Sequence, residues 1–408
     1  MTTKRQPVAA AAFTLVAGIF GVTTSAQALD WSGYFRAGPG ATKKGSARNC
    51  YGLAGVPDGV KFRLGNECDF YGEFALSQPF KSGGLEYKAT LMTDLYNGAT
   101  DSGSSKFGAA QMFAEAKGFD VAPNTNFWIG KRYYARSDVH IVDTHFINLS
   151  GVGAGADEIK LGNGQLGIAY FRVDDSVADV TGNQPANRFN VDYSDIDVNP
   201  GGKLRAVFTF TQGSFTNGKT GLGLSLQHRQ KVAAFGSGDN TLWLQLAQGS
   251  AALDGRVGDG RAGSQTKSVR VIDSIHWQVG KFGGQALALW MNAKTVNPVT
   301  QAKSDTTTIG LGGRGSYAIT HHFKMVSEIG YSQSKPKGGN VQKLAKFTLA
   351  PTLSAGPDFW NRPEFRLYVT QAKWNGAANA AAGPAGLTGS GDGKTTGTSY
   401  GAQVEMWF

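Results

Sequence analysis

The C-terminal segment Tyr400-Gly401-Ala402-Gln403-Val404-Glu405-Met406-Trp407-Phe408 decides the fold class of this chain. Successive side chains of a β-strand point to opposite faces, so alternate residues share one environment. One face of this segment carries Tyr400, Ala402, Val404, Met406 and Phe408, and the other carries Gly401, Gln403, Glu405 and Trp407. The pattern predicts a strand that lies between an apolar medium and water.

The same alternation appears near the start of the chain. In 30–37, the side chains of Trp31, Phe35 and Ala37 lie opposite those of Asp30, Ser32, Tyr34 and Arg36. In 69–76, those of Phe70, Gly72, Phe74 and Leu76 lie opposite those of Asp69, Tyr71, Glu73 and Ala75. Tight hairpins are predicted at Asn163-Gly164 and at Asn199-Pro200-Gly201-Gly202. No capped segment with a helical period competes with these strands, so we predict an all-β fold.

Composition narrows the class of protein. The chain has 408 residues, of which 17% are charged and 11% aromatic, with 57 glycines and a formal net charge of +10. The aromatic content argues against disorder, and beyond the N-terminus no run approaches the roughly 20 apolar residues of a membrane-spanning helix. Basic residues are scattered and form no arginine-rich helix, so we do not expect the protein to bind nucleic acid.

The N-terminus predicts export. Basic residues precede an apolar stretch over 8–22, and 25–28 has the small-x-small pattern that signal peptidase recognises. We therefore interpret residues 1–28 as a cleaved signal peptide. The cysteine count is even, and in an oxidising compartment Cys50 and Cys68 are expected to form one structural disulfide.

Export and alternation together favour a membrane barrel. An exported chain that alternates to its last residue can cross a membrane only as a closed barrel, because lipid cannot satisfy an open sheet edge. At roughly 20 residues per strand with its share of loop, residues 29–408 would form about 16 to 18 strands around a water-filled pore. We predict a transmembrane antiparallel β-barrel in the bacterial outer membrane. A secreted β-sandwich or β-helix remains the alternative.

Aromatic rings next to charged groups on the polar faces indicate what the pore conducts. The pairs are Tyr34 with Arg36, Tyr71 with Glu73, and Trp407 with Glu405. An aromatic ring that faces water can hold the apolar face of a pyranose ring, while neighbouring charged groups exchange hydrogen bonds with its hydroxyls. The alternative is that these rings belong to the aromatic belts at the membrane interfaces.

Blocks of sequence along the whole chain occur in the order of one known family. They are 30–36, 61–68, 128–140, 150–155, 196–202, 328–331, 359–363 and 401–408. In sequence and order these blocks resemble the maltoporin family, the LamB-type sugar porins. The resemblance implies an outer-membrane barrel of about 18 strands with an inward-folded third loop, assembled as a homotrimer.

The resemblance also implies a function and a set of site residues. It implies facilitated diffusion of maltose and linear maltodextrins past a slide of aromatic rings flanked by a polar track. The slide would comprise Tyr34, Tyr71, Trp360 and Trp407, with Phe235 as a further member. The polar track and constriction would comprise Arg36, Arg63, Glu73, Arg136, His140, Asp143 and His145. Outer-membrane lipid and lipopolysaccharide are the other partners that we expect.

Departures from the family pattern bear on specificity. His145 stands where the family has a constriction tyrosine, Asn148 where it has an aspartate, and Ala109 where it has an arginine of the polar track. The segment 97–108 lacks the tryptophan that a neighbouring subunit lends to the pore mouth in the family. A sugar porin for sucrose or another oligosaccharide, and a general diffusion porin, therefore stay open as alternatives. With an unperturbed pKa, His145 would make the constriction more cationic below about pH 6.5.

The sequence predicts neither catalysis nor a cofactor. The spacing of His140, Asp143 and His145 is not that of a zinc site, and in a strand the two histidines would face opposite sides. Glu73 and Glu405 could serve as the acid and base of a secreted glycosidase, which is the enzyme-class alternative. Because a water-filled pore offers no desolvated pocket to raise a carboxyl pKa, we predict that the protein is not an enzyme.

Overall fold

A computed structural model describes most of the chain. The described residues are 28–43, 48–56, 60–98, 105–173, 178–179, 182–183, 185–213, 218–296, 300 and 302–408. All but the last residue of the predicted signal peptide 1–28 lies outside this part. None of the helices in the described ranges has both the length and the apolar character needed to span a bilayer.

An antiparallel sheet closes on itself as an 18-stranded barrel. The strands are β1 Asp30–Ala37, β2 Phe70–Ser82, β3 Leu85–Asn97, β4 Lys106–Lys117, β5 Asn126–Arg132, β6 Gly151–Leu161, β7 Gly164–Val173, β8 Ala186–Asn199, β9 Gly202–Gly213, β10 Gly221–Val232, β11 Gly238–Gln248, β12 Lys267–Val279, β13 Phe282–Val296, β14 Lys303–Ala318, β15 Phe323–Pro336, β16 Gln342–Ser354, β17 Glu364–Trp374 and β18 Thr396–Trp407. After a break, β1 continues along β18 as Gly40–Thr42. The prediction of a closed antiparallel barrel is confirmed.

The first and last strands close the barrel. β1 pairs with β18 on one side and with β2 on the other, so no edge remains open to lipid. Alternation assigned the faces correctly: Trp31 on the outer face is 65% exposed, whereas Arg36 and Glu405 on the inner face are buried. The sequence pattern of these strands therefore separates lipid from lumen.

Turn lengths orient the barrel in the membrane. At the end that holds both termini, the strands are joined by short turns such as 162–163 and 200–201, where hairpins were predicted. Longer connections, among them 43–69, 133–150, 249–266 and 375–395, lie at the opposite end. Outer-membrane barrels have short periplasmic turns and long extracellular loops, so the termini lie on the periplasmic side.

The third extracellular loop, 133–150, folds into the lumen. Within it Ser137–Val139 pairs with Thr144–Ile147, and His140–Val142 forms a turn of 3-10 helix between them. The loop is held to the inner wall by apolar packing and by hydrogen bonds. The Phe146 ring packs on Trp243 with centroids 5.6 Å apart, and Gln245 Nε2 donates to the Phe146 carbonyl at 2.6 Å. The inward third loop that the resemblance implied is present.

The first loop, 43–69, also enters the lumen, which the sequence analysis did not predict. Its residues 60–67 are largely buried against β15, β16 and β17. Glu328 accepts a hydrogen bond from the Leu64 amide at 2.9 Å, and Thr348 Oγ1 donates to the Leu64 carbonyl at 3.0 Å. The predicted disulfide Cys50–Cys68 closes the outer part of this loop. Two loops therefore narrow the pore.

The remaining elements are short. Gly376–Ala381 forms a short α-helix in the loop 375–395. Asn375 caps this helix, because its side chain accepts a hydrogen bond from the Ala378 amide at 3.0 Å. Ala233–Phe235 forms a turn of 3-10 helix, and Ala178–Asp179 pairs with Gly182–Asn183.

Candidate functional site

Aromatic rings line the lumen wall where β18, β1 and β2 meet. In strand register Tyr34 lies directly opposite both Trp407 of β18 and Glu73 of β2. The Tyr34 and Tyr71 rings have centroids 6.3 Å apart. Directly paired residues share a face of the sheet, so Tyr34, Tyr71 and Trp407 all face the lumen, as alternation predicted.

The line of rings continues through Trp360, in the periplasmic turn 355–363. The Trp360 ring centroid lies 6.4 Å from that of Trp407 and 5.4 Å from that of His140. The guanidinium of Arg362 lies 4.3 Å from the centroid of the Trp407 ring, in a cation–π contact. A solute can therefore stack on Trp407 only from the face that Arg362 leaves free.

A cavity of about 450 Å³ adjoins the two tryptophans. Besides Trp360, Trp407 and His140, its charged and imidazole-bearing lining residues are Arg136, Asp138, Arg229, Asp239 and His276. Arg229 and Asp239 form an ion pair of 2.6 Å between Nη2 and Oδ2. The lining thus offers apolar ring surfaces next to paired donors and acceptors, which can contact a solute's flat face and hydrogen-bond its edges.

Glu73 and Arg136 bring polar groups next to this line. Glu73 accepts hydrogen bonds from Tyr71 and from Tyr133, the latter at 2.8 Å. The Arg136 guanidinium lies 3.2 Å from the centroid of the Tyr133 ring, and Arg136 Nε donates to Ser150 Oγ at 3.1 Å. The carboxylate and the guanidinium are each held in place, because every one of these contacts restricts a rotamer.

The sequence matches the model of a known protein family. The family model for LamB porin matches residues 29–408.

The chain belongs to the LamB porin family.

Solved structures of outer-membrane barrels are similar to this LamB-family porin in fold. OpdQ of Pseudomonas aeruginosa is 9% identical, with 94% of this chain and 99% of that chain covered and a TM-score of 0.49. OccAB2 of Acinetobacter baumannii is also 9% identical, with 93% and 98% covered and a TM-score of 0.49. OmpT of Vibrio cholerae, an outer membrane protein, is 9% identical, with 93% and 99% covered and a TM-score of 0.43. Nothing about function follows from likenesses at this level.

A buried ion-pair network lies behind the rings of the porin. Its cations are Arg36, Arg63, Lys324, Arg362 and Arg366, and its carboxylates are Glu67, Asp69, Asp143, Glu364 and Glu405. Cations and carboxylates are equal in number, so the network carries no formal net charge. Such a network is tolerated inside a protein only because each charge is matched and hydrogen-bonded.

Glu405 is the centre of that network. It is fully buried, and it contacts Arg63 at 3.1 Å and Arg362 at 3.0 Å, as well as Arg366. It also accepts a hydrogen bond from the Tyr34 hydroxyl at 3.1 Å. Removing one member of a buried network leaves its partners uncompensated, typically at a cost of about 3–5 kcal/mol. The carboxylate therefore joins β18 to β1, to the first loop and to the turn 355–363.

Arg36 and Arg63, which the resemblance placed in the polar track, are both buried by this network. Arg36 contacts Glu67, Asp69 and Asp143, at 3.3, 2.8 and 2.9 Å. Arg63 is 3% exposed, and its backbone amide donates to the Ile141 carbonyl of the third loop at 3.0 Å. Both guanidinium groups thus connect the barrel wall and the first loop to the third loop.

Asp143 is the exposed end of the network. Its side chain is 42% exposed, and Asp143 adopts a left-handed backbone conformation with φ of 54°. Burial by itself would raise the pKa of Asp143, but Arg63 and Arg36 outweigh it and lower the pKa to about 2. The carboxylate is therefore ionised at neutral pH and can accept hydrogen bonds from a solute.

His145 lies in the strand Thr144–Ile147 of the third loop, and its pKa differs from the sequence expectation. Burial and the neighbouring Arg136 lower the pKa of His145, although Asp138, Asp143 and Glu73 oppose them. The condition of an unperturbed pKa is therefore not met, and His145 is protonated at a lower pH than the value of about 6.5 that an unperturbed histidine would give. The imidazole is neutral at neutral pH and acquires its proton only in more acidic solution.

The other departures from the family pattern have structural explanations. Ala109 pairs with Thr93 and shares its outer face, so Ala109 is not a lumen position at which an arginine is missing. Asn148 is buried, and its side-chain oxygen accepts a hydrogen bond from the Ser150 amide at 3.3 Å. Part of the segment 97–108 lies outside the described residues. So does the side chain of Phe235, whose backbone belongs to Ala233–Phe235.

The histidines of the third loop form no metal site. His140 lies in the 3-10 turn and contacts Arg63, Arg362 and Glu405, whereas His145 lies on the following strand. Across the described ranges, no group of three or more histidine, cysteine, aspartate or glutamate side chains could hold a metal ion.

Some lumen residues were not singled out in the sequence. Tyr133 lies in a block that carried the family resemblance, so its hydrogen bond to Glu73 could have been suspected. Asp239 and His276 lie on the inner face of β11 and β12, where Asp239, Thr241 and Trp243 alternate with apolar Leu242 and Leu244. The alternation of side chains could have placed Asp239 and His276 on the inner face, but it could not have shown that they lie near Trp360.

Replacing Asp143 by asparagine should loosen the third loop. The change removes the carboxylate that Arg36 and Arg63 hold, which we expect to destabilise the loop position by about 1–2 kcal/mol because the group is partly exposed. Brief closures of the single-channel current should become more frequent. Asp138→Asn is the matched control, because Asp138 lies on the same loop and has no ion pair among the described residues.

The ion pairs of Asp143 with Arg36 and Arg63 also predict how the single-channel current of the wild-type protein changes in acid. A lowered pKa means that the contribution to stability is fully present above about pH 4 and is lost as the pH falls toward about 2. In wild type, brief closures of the single-channel current should stay rare down to about pH 4 and become frequent below it. In Asp143→Asn they should be frequent at every pH. A quiet Asp143→Asn channel at neutral pH would contradict the anchoring role.

His145→Gln should leave the ion selectivity of the channel unchanged near neutral pH. Because the pKa of His145 is lowered, wild type and variant carry the same charge at neutral pH. The reversal potential in a salt gradient should therefore agree for the two proteins at neutral pH. A wild-type channel that turned toward anions near about pH 6.5, in a manner abolished by the substitution, would refute the lowered pKa.

Proposed function

We propose that the protein is an outer-membrane channel for the facilitated diffusion of maltose and linear maltodextrins. The single observation that carries the proposal is the line of lumen rings formed by Tyr71, Tyr34, Trp407 and Trp360. Adjacent members of this line that are in ring contact have centroids 6.3 and 6.4 Å apart, so a linear chain of sugars could move from ring to ring. Each contact is weak, which favours passage over retention.

Polar groups beside the rings supply hydrogen bonds to the sugar hydroxyls. In this proposal Glu73, Arg136 and Asp143 contact the sugar, because each has a polar group toward the lumen. Hydrogen bonds that involve a charged group are stronger than neutral ones. Arg36 and Arg63 act by holding Asp143 and the loops, and His140 orients the two tryptophans through ring contacts.

The aromatic line favours a sugar porin over a general diffusion porin. Charge alone is enough to line a general pore, whereas four aromatic side chains along one path offer stacking surfaces to a solute with an apolar face. The alternative within sugar porins is a different oligosaccharide, such as sucrose, because His145 replaces the family's constriction tyrosine. The same line of rings would serve either cargo, and only a comparison of sugars distinguishes them.

A channel, rather than a glycosidase, fits the two carboxylates that were considered for catalysis. Glu405 is fully buried by three arginines and cannot reach a solute. Glu73 is held by two tyrosine hydroxyls in the lumen wall. A retaining or inverting glycosidase needs two carboxyl groups that both face the scissile bond. We therefore propose no catalytic role.

The outer surface suggests how the protein assembles. Large apolar side chains stand out on the outer faces of β4, β5 and β6, where Phe107 is 71% exposed and Ile129 is 66% exposed, with Met112 and Val152 near them. We propose that this surface is the contact between subunits of a homotrimer. The remaining wall would face outer-membrane lipid and lipopolysaccharide. In this proposal the signal peptide 1–28 directs export and is then cleaved.

Replacing Trp360 or Trp407 by alanine should weaken sugar binding in the pore. In a planar bilayer, maltohexaose should block the wild-type current in a saturable way, and each substitution should weaken the block by about 1 kcal/mol or more, because a ring contact is lost. Trp290→Ala is the matched control, since Trp290 lies on the outer face of β13 and is exposed to lipid. A titration with maltose, sucrose and trehalose would rank the alternatives.

Two results would contradict the sugar-porin proposal. A current that no saccharide reduces would leave only a general porin. An equal block in Trp407→Ala, Trp360→Ala and Trp290→Ala would mean that the lumen rings do not contact the sugar.

Polar substitution on the proposed subunit contact should dissociate the trimer. Phe107→Asn together with Ile129→Asn removes apolar area that would be buried between subunits, which weakens association by several kcal/mol at about 25 cal/mol per Å². Unheated samples on gel electrophoresis should shift from trimer to monomer. Leu367→Asn is the control, because Leu367 is equally exposed on the outer face of β17. If Leu367→Asn alone dissociates the trimer, the contact lies elsewhere.

A further inference from the structure

The outer face of β12–β17 carries a row of lysines at the extracellular end. The lysines are Lys267, Lys294, Lys303, Lys335, Lys343 and Lys373, one on each successive strand. All of them are exposed, and strand register places them on the face that also carries Leu311, Leu367 and Val369. In the described part of the chain none of the six lies within 4.0 Å of a carboxylate. Asp305 of β14 lies opposite Lys294 in strand register on this face but forms no ion pair with it, so the ammonium groups remain available to an anion.

The periplasmic end of the same strands differs. Its outward side chains include Val279, Phe282, Tyr317, Leu353 and Phe365, and these strands direct no lysine or arginine outward at this end in the described residues. In the described residues, the outward lysines borne by these six strands thus lie at their extracellular ends. A requirement for solubility alone would not produce this asymmetry, because both rims meet water.

Two of the lysines stand over an apolar groove. Lys267 pairs directly with Lys294 across β12 and β13, so their side chains lie side by side on the outer face. Next to them the exposed side chains of Phe208, Leu222, Leu224 and Leu246 and the half-buried Val269 line a groove of about 420 Å³, and both lysines are among its lining residues. Like charges placed directly opposite each other repel, so this pair favours an anion between them.

We propose that Lys267 and Lys294 bind a phosphate of outer-leaflet lipopolysaccharide, with one of its acyl chains lying in the groove beneath them. The ligand must be both anionic and lipidic, because the two ammonium groups and the groove are adjacent. It must also come from the outer leaflet, because the lysines lie at the end of the strands opposite the termini. The phosphorylated, acylated sugars of that leaflet combine these properties.

The energetics of the site are those of basic groups at a charged membrane surface. A lysine near an anionic headgroup contributes about 1 kcal/mol, so the pair together should change lipid affinity by tenfold or more. The long aliphatic part of each lysine can cover the groove while its ammonium stays at the headgroup level. The site is on the opposite wall from the proposed subunit contact, so trimer formation would leave it facing lipid.

Binding of purified lipid A to the detergent-solubilised protein tests the proposal. Native mass spectrometry should count lipid A bound to wild type, and the Lys267→Gln, Lys294→Gln double variant should lose affinity by tenfold or more. Lys160→Gln with Lys281→Gln is the matched control, because it removes the same charge from the periplasmic end. Dephosphorylated lipid A should bind wild type and double variant equally weakly. The Lys267→Arg, Lys294→Arg variant should retain binding.

Three results would overturn the proposal. The first is equal lipid A affinity in wild type and the double glutamine variant. The second is an equal loss in the periplasmic control, which would indicate a general charge effect. The third is equal displacement of lipid A by phosphatidylglycerol, which would mean that any anionic lipid occupies the site. Folding is checked independently by the current of the double variant through bilayers, and failure of sugar block leaves this test unaffected.

Discussion

The pairing of β1 with β18 is the constraint on which the rest of this porin depends. Lipid cannot hydrogen-bond an open strand edge, so the chain must bring residues near its two ends together. That closure places Tyr34 opposite Trp407 and Arg36 opposite Glu405. The hydrogen bonds that seal the barrel thus also assemble the aromatic line and the first charges of the buried network, from residues separated by most of the chain.

Closure creates a lumen, and buried charge determines its shape. Glu405 and Arg63 connect the wall to the first loop, and Asp143 connects the third loop to Arg36 and Arg63. A buried charge has few alternative positions, because moving it away from its partners leaves it unpaired in a medium of low polarity. The network therefore links both loops to the wall through paired charges. Exposed groups at its edge, such as Asp143, remain available for solutes.

The two faces of each strand contact different media, water in the lumen and lipid outside, and they carry different side chains. On the inner face, the aromatic rings lie next to paired polar groups, and the buried ion-pair network lies behind the rings. On the outer face, apolar side chains cover the hydrocarbon region, and unpaired lysines occupy the extracellular end of one wall. Because side chains alternate with period two, one stretch of sequence encodes both surfaces at once.

Alternation together with the export signal predicted the barrel. Alternation and turn residues predicted the lumen-facing Tyr34, Tyr71 and Trp407 and the hairpins at 162–163 and 200–201, because these depend on neighbours a few residues apart. The burial of Arg36 and Arg63, the inward first loop, the outer-face position of Ala109 and the lowered pKa of His145 were decided only by tertiary structure. Each depends on which distant residues the closed barrel brings into contact, and a local period carries no information about such contacts.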